Sequence, residues 1–316
     1  VTAHRGGPRF AEILGTLTPR DRWLMAMLAE HTVLTTPQLA ALGWGASLRR
    51  VQRRILTLHR AEAVDRFRPV LTRPLGTAPW HYLLGPTGAA ALAAEHGHTV
   101  AQIGYRGRAR ALAVADRATL GHDVATHDVI TGLAAAGTIE LTAWWSPARC
   151  ARSFGTHVRP DAYLCLTAQA GWWETFLEYD TGTETLGRVA GKLRGYHDLA
   201  AATGLITPVS IWLTRPRREP SARHALATAL AGLARPDLVP VYTATPTAAG
   251  PTSTAADRVW LPVVPPGRTA QRVTVAELAA RRPVPVRVAA PDRSRSRDSS
   301  ALPPPPPLPP HRRRTP

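Results

Sequence analysis

The stretch "RPDAYLCLTAQAGWWETFLEYDTG", residues 159–182, decides how the second half of the chain is read. Two apolar runs, "DAYLCLT" and "WETFLEYD", are parted by "AQAG", the pattern of two strands joined by a short turn. With the turn near Gln169 and Ala170, Asp161 stands opposite about Glu178. Glu178 and Asp180 lie two apart and project from the same strand face. Glu174 shares that face but lies nearer the turn, away from Asp161. Asp161, Glu178 and Asp180 should therefore converge, and unneutralised they would repel one another. A divalent cation is the common remedy, and Mg²⁺ is the cofactor expected because it favours carboxylates with waters and phosphate oxygens. These three are the candidate metal ligands. With Lys192, a dozen residues further on, they are also the candidate catalytic residues for a phosphodiester displacement. Glu184 either joins them or complements a helix N-terminus. The competing reading is plain: acids at strand ends are commonly solvated, and "YDTG" has the make-up of a turn.

The surroundings fit an α/β domain with a mixed sheet over 116–265. "DRATLGHDVATHDVITGLAAA" reads as a helix, and "TIELTAWWS" with the two runs above as a meander. "LGRVAGKLRGYHDLAAAT", "ITPVSIWLT", "SARHALATALAGLA", "LVPVYTA" and "RVWLPVV" then alternate helix and strand.

The N-terminal part reads differently. "TPRDRWLMAMLAEHTVLT" and "TTPQLAALGW" each open with Thr and Pro, good residues for starting a helix. In "ASLRRVQRRILTLHRAEAV", Leu48, Val51, Ile55 and Leu58 fall on one stripe. Arg49, Arg50, Arg53, Thr57 and Arg60 point the other way, with Gln52 and Arg54 on the flanks. Two strand-like pieces, "VDRFRPVL" and "WHYLLG", flank the loop "TRPLGTAP", and a helix follows from about Pro86 to Glu95. Three helices, a hairpin and a closing helix over 16–97 describe a winged helix-turn-helix, with the arginine-faced third helix reading DNA. Arg49, Arg50, Gln52, Arg53, Arg54, Thr57 and Arg60 are the expected DNA contacts. Residues 98–115 read as a linker. Residues 266–316 read as a mostly disordered tail, stiffened by polyproline at 303–310.

The whole composition agrees. The 316 residues carry a formal charge of +17, which favours a polyanionic partner, nucleic acid above all. Arginine supplies nearly all of it, and Lys192 is the only lysine. Two cysteines, Cys150 and Cys165, form neither a disulfide framework nor a zinc spacing. No run approaches the about 18 apolar residues of a membrane span, and "VTAHRGGPRF" lacks a signal core. A cytoplasmic protein without a membrane partner is expected. No phosphate-binding glycine loop suggests ATP hydrolysis. A tyrosine relaxase would need His–hydrophobic–His, and the nearest match, His96-Gly97-His98, has glycine at its centre. Tyr179 and Tyr196 are therefore read as packing or hydrogen-bonding residues. His122 and His127 are five apart, poor spacing for a shared metal on a helix, and suit polar core positions better.

"Pro160-Asp161" followed by "Glu178-Tyr179-Asp180" resembles the PD-(D/E)XK nuclease core. More closely, the series "RPDA", "LEYDTGTE" and "KLRGY" resembles the actinobacterial replication-relaxation family, over about residues 18–265. That resemblance implies a winged helix joined to a restriction-endonuclease-like domain, double-stranded plasmid DNA as partner, and a role in plasmid replication, relaxation or transfer. It also implies a metal-dependent nickase with Asp161, Glu178 and Asp180 as ligands and Lys192 beside the phosphate. One departure stands out: two residues after the glutamate the nuclease motif has lysine, and this chain has Asp180. The alternative is a non-catalytic DNA-binding accessory or regulator on a degenerate nuclease domain. Winged-helix proteins often dimerise on palindromic sites, so a homodimer is a further expectation.

Overall fold

A computed structural model describes residues 8–44, 47–69, 77–169, 171–250, 253–265, 267–281 and 302–310. The chain divides into two compact units between His127 and Asp128, and the described C-terminal residues 302–310 belong with the first.

The first unit opens with helices α1 (Pro8–Thr16) and α2 (Pro19–His31). Thr18 and Asp21 cap α2 reciprocally, each accepting the other's backbone N–H. A two-residue strand β1 (Leu34–Thr35) leads into α3 (Thr36–Ala41), which Thr35 and Gln38 cap in the same way. Ser47 caps α4 (Leu48–Arg60), and Val51, Ile55 and Leu58 carry that helix into the core. Leu48, expected on the same stripe, is 49% exposed. As the first helical residue, its side chain leans back past the N-terminal turn and off the core. Strands β2 (Val64–Phe67) and β3 (His81–Leu84) pair antiparallel, and β1 adds to the far edge of β3. The wing tip, 70–76, lies outside the described residues. Helix α5 (Pro86–Glu95) closes the set, which is the element order expected of a winged helix-turn-helix.

Residues 98–115, expected as a linker, pack instead. Helix α6 (Arg108–Leu112) and a 3-10 turn (Ala113–Asp116) bury Val114 beside Val33, Leu83 and Leu120. Arg108 pairs with the buried Asp65 at 2.7 Å. Helix α7 (Leu120–Ala135) then runs across the division. His127 sits in the core as expected, Nδ1 against the Val33 carbonyl at 3.1 Å.

The second unit is built on a six-stranded mixed sheet in the order β4 (Glu140–Trp145), β5 (Ala162–Ala168), β6 (Gly171–Asp180), β7 (Val209–Leu213), β8 (Val241–Ala244) and β9 (Leu261–Pro262). The first three strands form the antiparallel meander read from the sequence. β6, β7 and β8 run parallel, and β9 turns back. Parallel neighbours need long crossovers, and α9 (Leu186–Thr203) and α10 (Glu219–Ala231) supply them. Every residue of β7 is buried, as suits a parallel strand covered on both faces. Helix α8 (Pro147–Phe154), between β4 and β5, was not expected. Its Cys150 and Phe154 pack against a core that includes Tyr163, Phe176, Leu193, Tyr196 and Val209. Trp144 and Trp173 are core residues, whereas Trp172 is 36% exposed. A last helix, α11 (Val275–Ala280), packs on β5 and β6, so this unit extends past residue 265 into what reads as tail.

The tail itself departs from expectation over 302–310. Pro305, Pro307 and Pro309 are buried, and the Pro306 carbonyl accepts the indole N–H of Trp23 at 2.7 Å. Residues 282–301 and 311–316, also expected to be disordered, lie outside the described residues.

Candidate functional site

The first candidate surface is α4. Arg49, Arg50, Gln52, Arg53, Thr57 and Arg60 are all exposed, as the helical periodicity requires once Val51, Ile55 and Leu58 face inward. Among the described residues, Arg49, Arg50, Arg53 and Arg60 form no salt bridge. Arg54 does something else. Its Nε donates to Asp21 Oδ1 at 3.0 Å, Nη2 bonds Oδ2, and the same nitrogen reaches the Thr16 carbonyl. The arginine on the flank thus fastens α4 to α2.

At the base of the wing, the Arg66 and Arg68 guanidiniums lie 4.0 and 4.2 Å from the centre of the Trp80 ring. Sequence reading missed this group. Its signal was available: two arginines at alternate positions in "DRFRP", facing a tryptophan where the partner strand begins.

The second candidate surface lies where β5, β6 and α9 meet. The β5–β6 register pairs Ala162 with Leu177 and Ala168 with Gly171. One step further along that register, Asp161 stands opposite Glu178, and the turn takes in Gln169. Ala170 lies outside the described residues. Asp161 Oδ2 accepts the Tyr179 N–H at 2.8 Å. Glu178 is 6% exposed, and both its oxygens are engaged: Oε2 accepts from Lys192 Nζ at 2.8 Å, and Oε1 from Tyr196 Oη at 2.5 Å. Lys192 Nζ also lies 3.5 Å from Glu184 Oε2. Tyr196 therefore joins the cluster as a hydrogen-bonding residue.

Close approach of α9 makes these contacts. A Cβ on Gly195 would lie 2.5 Å from the His157 carbonyl oxygen, so only glycine lets the helix sit this near. Lys192 and Tyr196, three before and one after it, then reach Glu178.

Asp180 does not join them. Its Oδ2 accepts from Arg218 Nε at 2.9 Å and its Oδ1 from the Gly182 N–H at 2.8 Å. Gly182 has φ +78°, a left-handed turn that carries the chain towards α9. Asp180 shares a strand face with Glu178, as expected, but the two carboxylates serve different partners. Glu174 stands apart from both, beside Tyr163.

Electrostatics follow from this geometry. Burial, then the Asp161 charge, push the Glu178 carboxyl up, and Lys192 and Tyr196 only partly offset them. Burial pulls the Lys192 ammonium down, but Glu178, Glu184 and Asp161 outweigh it and hold it above its ordinary value. Lys192 is therefore charged, and its side chain is 41% exposed. The arrangement can present a cation at the surface, braced by a buried acid, to an anionic group.

Among the described residues, no group of three or more His, Cys, Asp or Glu side chains is placed to hold a metal ion. Asp161 and Glu178 stand opposite each other, with Glu184 across Lys192, and Mg²⁺ is commonly held by one or two carboxylates with waters and phosphate oxygens. By ligand type the pair suits that ion, but both Glu178 oxygens already accept from Lys192 and Tyr196, and Asp180 lies outside the pair.

These features define a two-unit α/β protein: an N-terminal helix-turn-helix-like unit and a mixed-sheet unit bearing an acid–lysine–tyrosine cluster. Residues 25–210 match the sequence model of the replication-relaxation family, more than half of the chain, and the protein belongs to that family. No curated protein and no solved structure matches the chain. Among the described residues, no helix is long and apolar enough to cross a membrane.

Proposed function

We propose that this protein binds duplex DNA through α4 and the base of the wing, in plasmid replication, relaxation or transfer. The observation that carries this reading is the outer face of α4. Arg49, Arg50, Arg53 and Arg60 are exposed and, among the described residues, in no salt bridge, whereas Arg22, Arg54, Arg108, Arg218 and Arg272 are each paired with an acid. Folding uses the second group and leaves the first for phosphates and base edges. Gel-shift titration of the full chain on plasmid fragments tests it. Replacing all four arginines by alanine should abolish the shift while leaving the far-ultraviolet spectrum unchanged. A shift retained by that variant would contradict the reading.

A second reading, a metal-dependent nickase, is favoured by the Glu178–Lys192–Tyr196 cluster beside Asp161. In it Asp161 and Glu178 would hold Mg²⁺, which would supply an activated water and charge neutralisation. Lys192 would bind the phosphate, and Arg218 would keep Asp180 out of the site. Supercoiled plasmid incubated with Mg²⁺ or Mn²⁺ tests it. Relaxation by the wild type and not by Asp161→Ala or Lys192→Ala supports catalysis. Unchanged topology with DNA bound by all three leaves a DNA-binding accessory.

A further inference from the structure

The segment "LPPPPPLPP", 302–310, is chemically unusual for a chain that folds back on its own domain. Residues 303–307 and 309–310 have no backbone N–H, so they cannot extend a helix or join a sheet ladder. Each of 302–306 precedes a proline, which holds it extended. Such a segment offers carbonyl acceptors and apolar ring faces, and it loses little conformational freedom on docking.

Trp23 on α2 is the complement. An indole N–H is a donor only, and a buried one needs an acceptor. Trp23 is 4% exposed, and the Pro306 carbonyl, 283 residues along the chain, accepts its N–H at 2.7 Å. Pro305, Pro307 and Pro309 are buried, and Pro303, Pro304 and Pro306 are exposed, so the segment presents alternate rings to the domain. An aromatic donor bonded to a proline carbonyl, flanked by buried prolines, is how proline-rich ligands are generally held.

We propose that the Trp23 face of the first unit is a polyproline-binding site, and that the chain's own residues 302–310 occupy it in cis. The tail is then a resident ligand and not a solvated appendage. Tethering gives it an effective concentration of roughly millimolar order, against which any proline-rich peptide added in trans must compete.

The test uses the full chain with Pro305, Pro307 and Pro309 replaced by serine, its fold checked by an unchanged far-ultraviolet spectrum. The Trp23 indole proton, assigned by its loss in Trp23→Phe, should exchange with solvent about tenfold faster or more in the triple variant. A synthetic peptide with the sequence of 302–310 should restore the protection there, and should fail to bind the wild type at concentrations that saturate the variant. Adding Trp23→Phe, which keeps an aromatic ring but removes the N–H and the pyrrole part of the indole, should weaken the peptide at least about tenfold. Unchanged indole exchange in the triple variant, or peptide binding indifferent to Trp23→Phe, would overturn the proposal.

Discussion

Arg53 and Arg54 are neighbours with opposite work. Arg53 faces solvent; Arg54 pairs with Asp21, which is 1% exposed. Burial pushes the Asp21 carboxyl up, but its bonds to Arg54 and Thr18 outweigh that and hold it below its ordinary value of 3.8. A depressed carboxyl stabilises the fold above its unfolded pKa, and that stability is lost as pH falls through the lower folded value. Arg54→Ala leaves a buried carboxylate without its partner. Thermal unfolding should show a loss of about 2 kcal/mol, discounted from the fully buried case because Arg54 is half-exposed. Arg53→Ala should change stability by less than about 0.5 kcal/mol.

Glu178 has the reverse sign. Its carboxyl is raised, so the folded state binds its proton more tightly, and stability falls as pH rises from the ordinary 4.5 through the folded value. Lys192 limits that fall. Lys192→Met should therefore make denaturation midpoints decline more steeply with pH above 4.5, and Glu178→Gln in the same chain should flatten the decline. Equal slopes in the single and double variants would mean that the pair is not coupled. The Asp161–Glu178 opposition was legible in the sequence because a short turn fixes register by counting. The partner of Asp180 was not, because Arg218 lies 38 residues away, beyond a crossover helix and the next strand.

Among the elements, capped helices and alternating strands were the readable ones. Thr–Pro starts marked α2 and α3, and "ITPVSIWLT" marked the strand β7. Helices α6 and α8 escaped notice because they are short and interrupted by arginines, and only the surrounding core makes them fold. Helix α9 shows what periodicity cannot reveal: Gly195 there reads as a weak point in a helix, yet it sets the approach to His157. Gly195→Ala would gain about 1 kcal/mol of helix propensity. The Cβ would meet a backbone oxygen, which cannot swing aside, and overpacking of this kind costs about 1–3 kcal/mol. The clash should win, with a lower melting temperature and a disturbed Lys192–Glu178 contact. A melting temperature equal to or above that of the wild type would show that α9 has room to spare.

At the scale of the molecule, the two-part organisation was legible from the change in pattern between helices and alternating helix and strand. The positions of the boundaries were not. Val114 and Arg108 fold into the first unit, α11 into the second, and 302–310 returns to Trp23, each through contacts between residues distant in sequence. The charge of +17 is likewise a property of the whole, and it predicts strongly salt-dependent DNA binding. The proposed DNA contact rests on where the arginines without acid partners stand.

The measurement that tests this most directly is the salt dependence of duplex DNA binding by the full chain and by Arg50→Ala/Arg53→Ala. If α4 lies against DNA, the double variant binds more weakly at every salt concentration. Its log K against log salt should then lose about 2 units of slope, roughly 0.9 for each phosphate contact removed. Superimposable lines for the two proteins would contradict the assignment of α4 as the DNA-binding element.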